Sequence, residues 1–194
     1  MTARLSPIEN PKRPLMKLAY WFTKKMFGKV ISPLKLIYAR LPFSFLNWSR
    51  KIQSLEKQLA IPPDLALLIK IHVAQLNGCG FCIDIGKAQA MGRFNRQERF
   101  FNVSSFEESP LFSGEEQLAL RFATELTLHK LVSDETYSSC QEHFSDKALI
   151  SIAWVVAVEH YYNVLNGAFA IESDGLCTLP AQQYNNKSFK EQLQ

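Results

Sequence analysis

From residue 61 onward the chain is punctuated as a succession of helices and nowhere as a succession of strands. "IPPDLALLIKIHVAQLNG", residues 61–78, has prolines at its start and glycine at its end, the asymmetry expected of helix boundaries. "CGFCIDIGKAQAMG" reads as the next helix, stopping near Gly92, and residues 93–113 as short helix and loop. Ser113 with Glu116 forms the pattern of a capping box ahead of "GEEQLALRFATELTLHK". Ser133 caps a shorter helix with Asp134 and Glu135 in its first turn, where the helix dipole favours acids. Ser145 caps the longest and most apolar segment, residues 146–173. No apolar/polar alternation of strand type interrupts this series, so the expected class is all-α.

The first fifty residues differ in character. Residues 1–51 carry eleven Lys/Arg and one acid, hence +10, whereas the remaining 143 carry eleven Lys/Arg and seventeen acids, hence −6. Prolines break this basic part, and between them residues 15–30 have helical periodicity with Leu15, Leu18, Ala19, Phe22 and Met26 on one face. We expect an N-terminal extension, residues 1–49, that packs its aromatics on the domain or a neighbouring subunit. Contact with a membrane surface is the less favoured use, and nucleic acid is not expected because no binding motif accompanies the charge. The domain proper is expected over 50–176 and a loose polar tail over 177–194.

The longest apolar run, residues 148–158, is about half of what a membrane span requires, and the N-terminus lacks the pattern of a signal peptide. Of four cysteines only Cys79 and Cys82 are close; Cys140 and Cys177 are isolated. A secreted disulfide framework is disfavoured and a reducing, cytoplasmic location is expected.

The C-x-x-C pair admits three readings. Zinc needs four ligands, and His72, His129, His143 and His160 lack the spacing to supply them. A structural bridge across so short a loop stabilises little. Redox chemistry fits best: a thiolate at a helix N-terminus is favoured by the positive end of the dipole, and two thiols one turn apart can close a disulfide. The all-α context argues against a thioredoxin fold, which needs βαβ units.

"HVAQLNGCGFCIDIGKAQA" resembles the core motif of the carboxymuconolactone decarboxylase family, particularly its alkylhydroperoxidase-D-like branch, and residues 113–175 resemble the rest of that domain. The resemblance covers about residues 50–176. It implies an all-helical fold of the alkylhydroperoxidase-D-like type, a homo-oligomer, and a thiol peroxidase or disulfide reductase; the redox reading needs no bound cofactor, and no metal site is expected. It implies Cys82 as the peroxide-attacking thiol, Cys79 as the resolving one, and an external thiol or dithiol donor. The branch also uses a His four residues after the second Cys and a Glu twelve before the first; here those positions hold Gly86 and Leu67.

Substitutes for that proton relay are sought elsewhere. His72 points along an apolar helix face, where a core role competes with a functional one. Glu159, Tyr162, Asn163 and Asn166 form a polar strip at i, i+3, i+4 and i+7 on an otherwise apolar helix. Such a strip must be hydrogen-bonded inside the protein or at a subunit contact, and Glu159 is the candidate base. His160 and Asp84 are weaker candidates. The resulting expectation is a peroxide-reducing thiol oxidoreductase. The alternatives are a muconolactone-decarboxylating lyase, which needs no cysteine pair, and a non-catalytic oligomeric or membrane-associated module.

Overall fold

The expected helical punctuation is realised almost signal for signal. The computed structural model describes residues 3–178, with the side chains of Ser44, Phe45 and Leu46 excepted. Among the described residues eight α-helices run in chain order: α1 (Pro14–Phe27), α2 (Pro42–Glu56), α3 (Pro63–Leu76), α4 (Gly80–Arg93), α5 (Glu98–Phe101), α6 (Gly114–His129), α7 (Asp134–Gln141) and α8 (Asp146–Ala168). A π-helical turn, Leu34–Tyr38, and two 3-10 turns, Val103–Ser105 and Leu176–Thr178, lie between and after them. No strand occurs among the described residues.

The caps form as read. Ser113 Oγ accepts from Glu116 N while Glu116 reaches back to Ser113 N, closing the capping box. Ser133 and Ser145 accept from the N–H groups of Thr136 and Ala148. These bonds satisfy donors that a helix start otherwise leaves without partners.

Helix α3 is the centre. Leu65 through Ile69 and Ile71 through Ala74 are all buried, so it has no solvated apolar/polar division. It packs against α4, α6 and α8, as expected of a helix apolar all round. Leu68, Ile69, Ile71, Phe100, Leu120 and Ile152 are fully buried in its surroundings. Each such side chain contributes about 1.5–3 kcal/mol of transfer free energy.

Three expectations require correction. The first is the boundary at residue 49/50, which falls inside α2. Pro42 opens that helix, so its first half belongs to the extension and its second half to the domain. The second is the buried face of α1. Met16, Tyr20 and Phe27 turn inward, whereas Leu18 and Trp21 are exposed, as is Phe43 on α2. Apolar residues nearly encircle α1, so several stripes satisfy helical periodicity and only fit to a partner surface selects one. That surface is Phe81, Ala88, Ile171 and Leu176, joined by Leu34, Leu36, Ile37 and Tyr38 of the extension.

The third concerns the tail. Its first residues are anchored, because Leu176 is fully buried and Cys177 N donates to Asp84. The rest of the tail, from residue 179, lies outside the described residues.

Helix α8 ends at Ala168, short of the 146–173 segment read from the sequence, but extends well past the apolar run at 148–158. By length and composition it could cross a membrane, but half of its most apolar window is buried within this fold. The contiguous count stopped at Glu159, whose side chain turns inward and so does not interrupt the helix.

Candidate active site

Gly78, with φ 66°, reverses the chain after α3, a conformation that costs glycine little. Cys79 then serves as the N-cap of α4, its Sγ accepting from Cys82 N at 3.3 Å. One helical turn brings the two thiols together, and they form a disulfide with Cα atoms 5.3 Å apart. Cys140 and Cys177 are free. The bonded sulfurs lie in an apolar setting of Ala74, Ile83 and Tyr162, and both cysteines are buried. Among the described residues no group of three or more His, Cys, Asp or Glu converges as metal ligands.

Helix α8 presents its polar strip to this pair. Asn166 Nδ2 lies 3.3 Å from Cys82 Sγ and 3.8 Å from Cys79 Sγ. A disulfide sulfur can only accept, so the amide turns its NH2 toward the pair. Asn166 Oδ1 is then buried without a partner. One turn back, Asn163 Nδ2 donates to Glu159 Oε1 at 2.6 Å, and Asn163 Oδ1 accepts from Asn77 Nδ2 at 2.9 Å. The strip thus runs from the sulfurs to a buried carboxyl.

Burial pushes Glu159 up to about 7, although Lys70 and the Asn163 bond draw it partly back. It is therefore poised between acid and base near neutrality. Seven residues separate Glu159 from Asn166, about 10 Å of helix rise. Glu159 shares the strip with Asn166, and its hydrogen bond is to Asn163.

His72 goes elsewhere. Thr124 Oγ1 donates to Leu120 O, so His72 Nε2 must donate to Thr124 Oγ1, at 2.7 Å. The ring stands edge-on to Phe106, and burial lowers its pKa to about 4. His72 is a neutral core histidine on the α6 side of α3, and none of its hydrogen bonds leads to the cysteines. His160 stays at the margin, with Nδ1 3.5 Å from Asn77 Nδ2.

The two relay positions are occupied by packing. Leu67 is buried in the main core. A Cβ at Gly86 would meet Ile71 Cγ1 at 2.6 Å, so only glycine permits this approach of α4 to α3. A histidine there has no room.

Asp84, a weak candidate by sequence, has a defined structural task. Its carboxylate accepts from the N–H groups of Asp174, Leu176 and Cys177 at 2.8–2.9 Å. Burial opposes its charge, but these bonds outweigh burial and leave its pKa lowered. Asp174 in turn accepts from Ser32 N and Ser32 Oγ, so the loop held over α4 also holds the extension. No sequence pattern announced this pairing, because its donors are backbone groups some ninety residues away.

An all-α fold built on a central helix, with a C-x-x-C pair at the start of the next, defines the alkylhydroperoxidase-D-like class. Solved structures share it. The debrominase Bmp8 superposes with a TM-score of 0.75 at 16% identity, over 95% of this chain and 100% of its own. A peroxidase-related alkylhydroperoxidase core from Ralstonia eutropha superposes at 0.71 and 15% identity, over 91% of this chain and 95% of its own. Among sequences, YdfG of Bacillus subtilis is 32% identical over 102 residues, covering 52% of this chain and 69% of YdfG. YnjA of Escherichia coli is 29% identical over 165 residues, 84% of this chain and 90% of YnjA. Both are described only as uncharacterised proteins. No family model matches the chain. The chain belongs to one family with YdfG, and its fold is the all-helical alkylhydroperoxidase-D-like one of the carboxymuconolactone decarboxylase type.

Proposed function

We propose that the protein is a thiol-dependent peroxidase whose working parts are Cys82 and Cys79. One observation carries the reading: the two sulfurs are bonded to each other at a helix N-terminus while Cys140 and Cys177 stay apart. In the reduced enzyme the Cys82 thiolate attacks the terminal oxygen of a hydroperoxide. The O–O bond breaks, Cys82 becomes a sulfenic acid, and the alkoxide leaves and takes a proton. Cys79 then attacks the sulfenic sulfur, expelling water and forming the disulfide. An external thiol or dithiol returns two electrons and is itself oxidised. The pair is buried, which favours a small peroxide over a protein disulfide as substrate. The family resemblance adds a homo-oligomer, and a reducing compartment would supply the donor.

The fold neighbours include a debrominase as well as peroxidase-related proteins, so the chemistry must be read directly. Reduced protein should lose two of its four thiols after one equivalent of peroxide, without intermolecular cross-links, and should consume peroxide continuously with dithiothreitol present. Peptide mapping should place the bond between Cys79 and Cys82. Retention of all four thiols would overturn the reading, and turnover of a muconolactone by a Cys82→Ser variant would establish the lyase instead.

A further inference from the structure

Helix geometry alone favours the other cysteine as the charged one. Cys79 is the N-cap, and its sulfur receives the Cys82 backbone N–H at 3.3 Å. A hydrogen bond to a thiolate stabilises it, so this bond draws negative charge toward Cys79. Only one described side chain counters it. Asn166 Nδ2 is nearer to Cys82 Sγ, at 3.3 Å, than to Cys79 Sγ, at 3.8 Å.

The amide also carries an imbalance. Asn166 is buried, and in the disulfide state its Oδ1 has no partner. A disulfide offers acceptors only, so neither sulfur can satisfy that oxygen. The half-ionised dithiol offers one acceptor, the thiolate, and one donor, the remaining S–H. An amide has one of each to return. The group beside the pair is therefore matched to the reduced monoanion and mismatched to the oxidised form.

We propose that Asn166 selects Cys82 as the thiolate and biases the pair toward its reduced state. Its Nδ2–H donates to Cys82 S⁻ while its Oδ1 accepts from Cys79 S–H. Reduction then balances as disulfide plus a dithiol donor giving Cys82 thiolate, Cys79 thiol, oxidised donor and one proton. No side chain at Gly86 or Leu67 is needed to assign the charge. The inference rests on the redox reading of the pair but not on peroxide as its substrate.

The test compares the full-length protein with Asn166→Leu, which keeps the branched shape and removes both polar atoms. Reduced samples receive sub-stoichiometric iodoacetamide across a pH series, and the labelled cysteine is identified by mass spectrometry. Wild type should label at Cys82 and the variant at Cys79. In glutathione buffers the variant's equilibrium should move toward disulfide by about tenfold, equivalent to about 30 mV for a two-electron couple. A merely structural residue would lower the melting temperature of both redox forms and leave these two readouts unchanged.

Labelling that stays on Cys82 in the variant, with an unshifted equilibrium, overturns the proposal. Labelling of Cys79 in wild type overturns it together with the assigned nucleophile. A wild type inert to peroxide whose label still moves from Cys82 to Cys79 on substitution supports it, and removes only the peroxidase reading. Should Asn166→Leu fail to fold, selectively labelled asparagine in the wild-type protein gives the answer by NMR. One side-chain amide should change its proton shifts on reduction, and the absence of any such change overturns the proposal.

Discussion

Asp84 and Glu159 are both carboxyl groups on helices beside the cysteine pair, and both are buried, at 3% and 6% exposure. Their surroundings nonetheless drive them in opposite directions. Asp84 accepts three backbone N–H bonds and keeps its charge with a lowered pKa. Glu159 has one amide bond, from Asn163, and burial dominates, raising it to about 7. Burial by itself thus predicts neither ionisation nor role. Count of donors does: a saturated carboxylate fastens a loop, and an under-supplied one is left able to exchange a proton near neutral pH.

The hardest way to break this comparison is to empty the saturated site. Asp84→Ala leaves three N–H groups without their acceptor, each costing about 1–3 kcal/mol when buried, so a loss of about 3 kcal/mol or more is expected in urea unfolding. The loop at 174–177 should become protease-sensitive at the same time. The wild-type contribution has a definite sign: the folded pKa is depressed, so it is present above the unfolded value and is lost as pH falls below about 4.

Glu159 should behave in the reverse sense. Its folded pKa of about 7 exceeds the ordinary value of 4.5, so the folded state holds the proton over that interval. Stability is full below the unfolded pKa and declines as pH rises to about 7, by on the order of 3 kcal/mol. Glu159→Gln should flatten this decline, checked by urea midpoints at pH 5 and pH 8. If the strip moves protons, the variant should also slow thiol reaction with peroxide without altering which cysteine is labelled. An unchanged rate assigns Glu159 to structure.

Restoring the family's relay residue is a sharper, smaller test. Gly86→His must displace Ile71, and overpacking of this kind costs about 1–3 kcal/mol. Pairing it with Ile71→Ala should recover part of the loss, measured as a coupling between the two substitutions. The smallest effect is expected at His72. His72→Gln should leave thiol reactivity with peroxide within about twofold, because the ring bonds Thr124 and faces Phe106. Its stability effect is pH-dependent: the folded pKa is depressed to about 4, so stability falls as pH drops from about 6.5 toward 4.

The sequence by itself determined what depends on neighbours along the chain. Caps at Ser113, Ser133 and Ser145, the glycine stop at Gly78 and the one-turn spacing of Cys79 and Cys82 are local, and local geometry realises them in any helical context. The polar strip on α8 was legible too, since helical periodicity alone puts Glu159, Asn163 and Asn166 on one face. What that strip faces was not legible. Only tertiary packing of α8 against α3 and α4 brought Asn166 to the sulfurs and sent His72 toward α6. The inward stripe of α1 and the three donors of Asp84 were decided in the same way. In each case the partner is distant in sequence, and its identity follows from which surfaces fit together, a property of the assembled core and not of any segment within it.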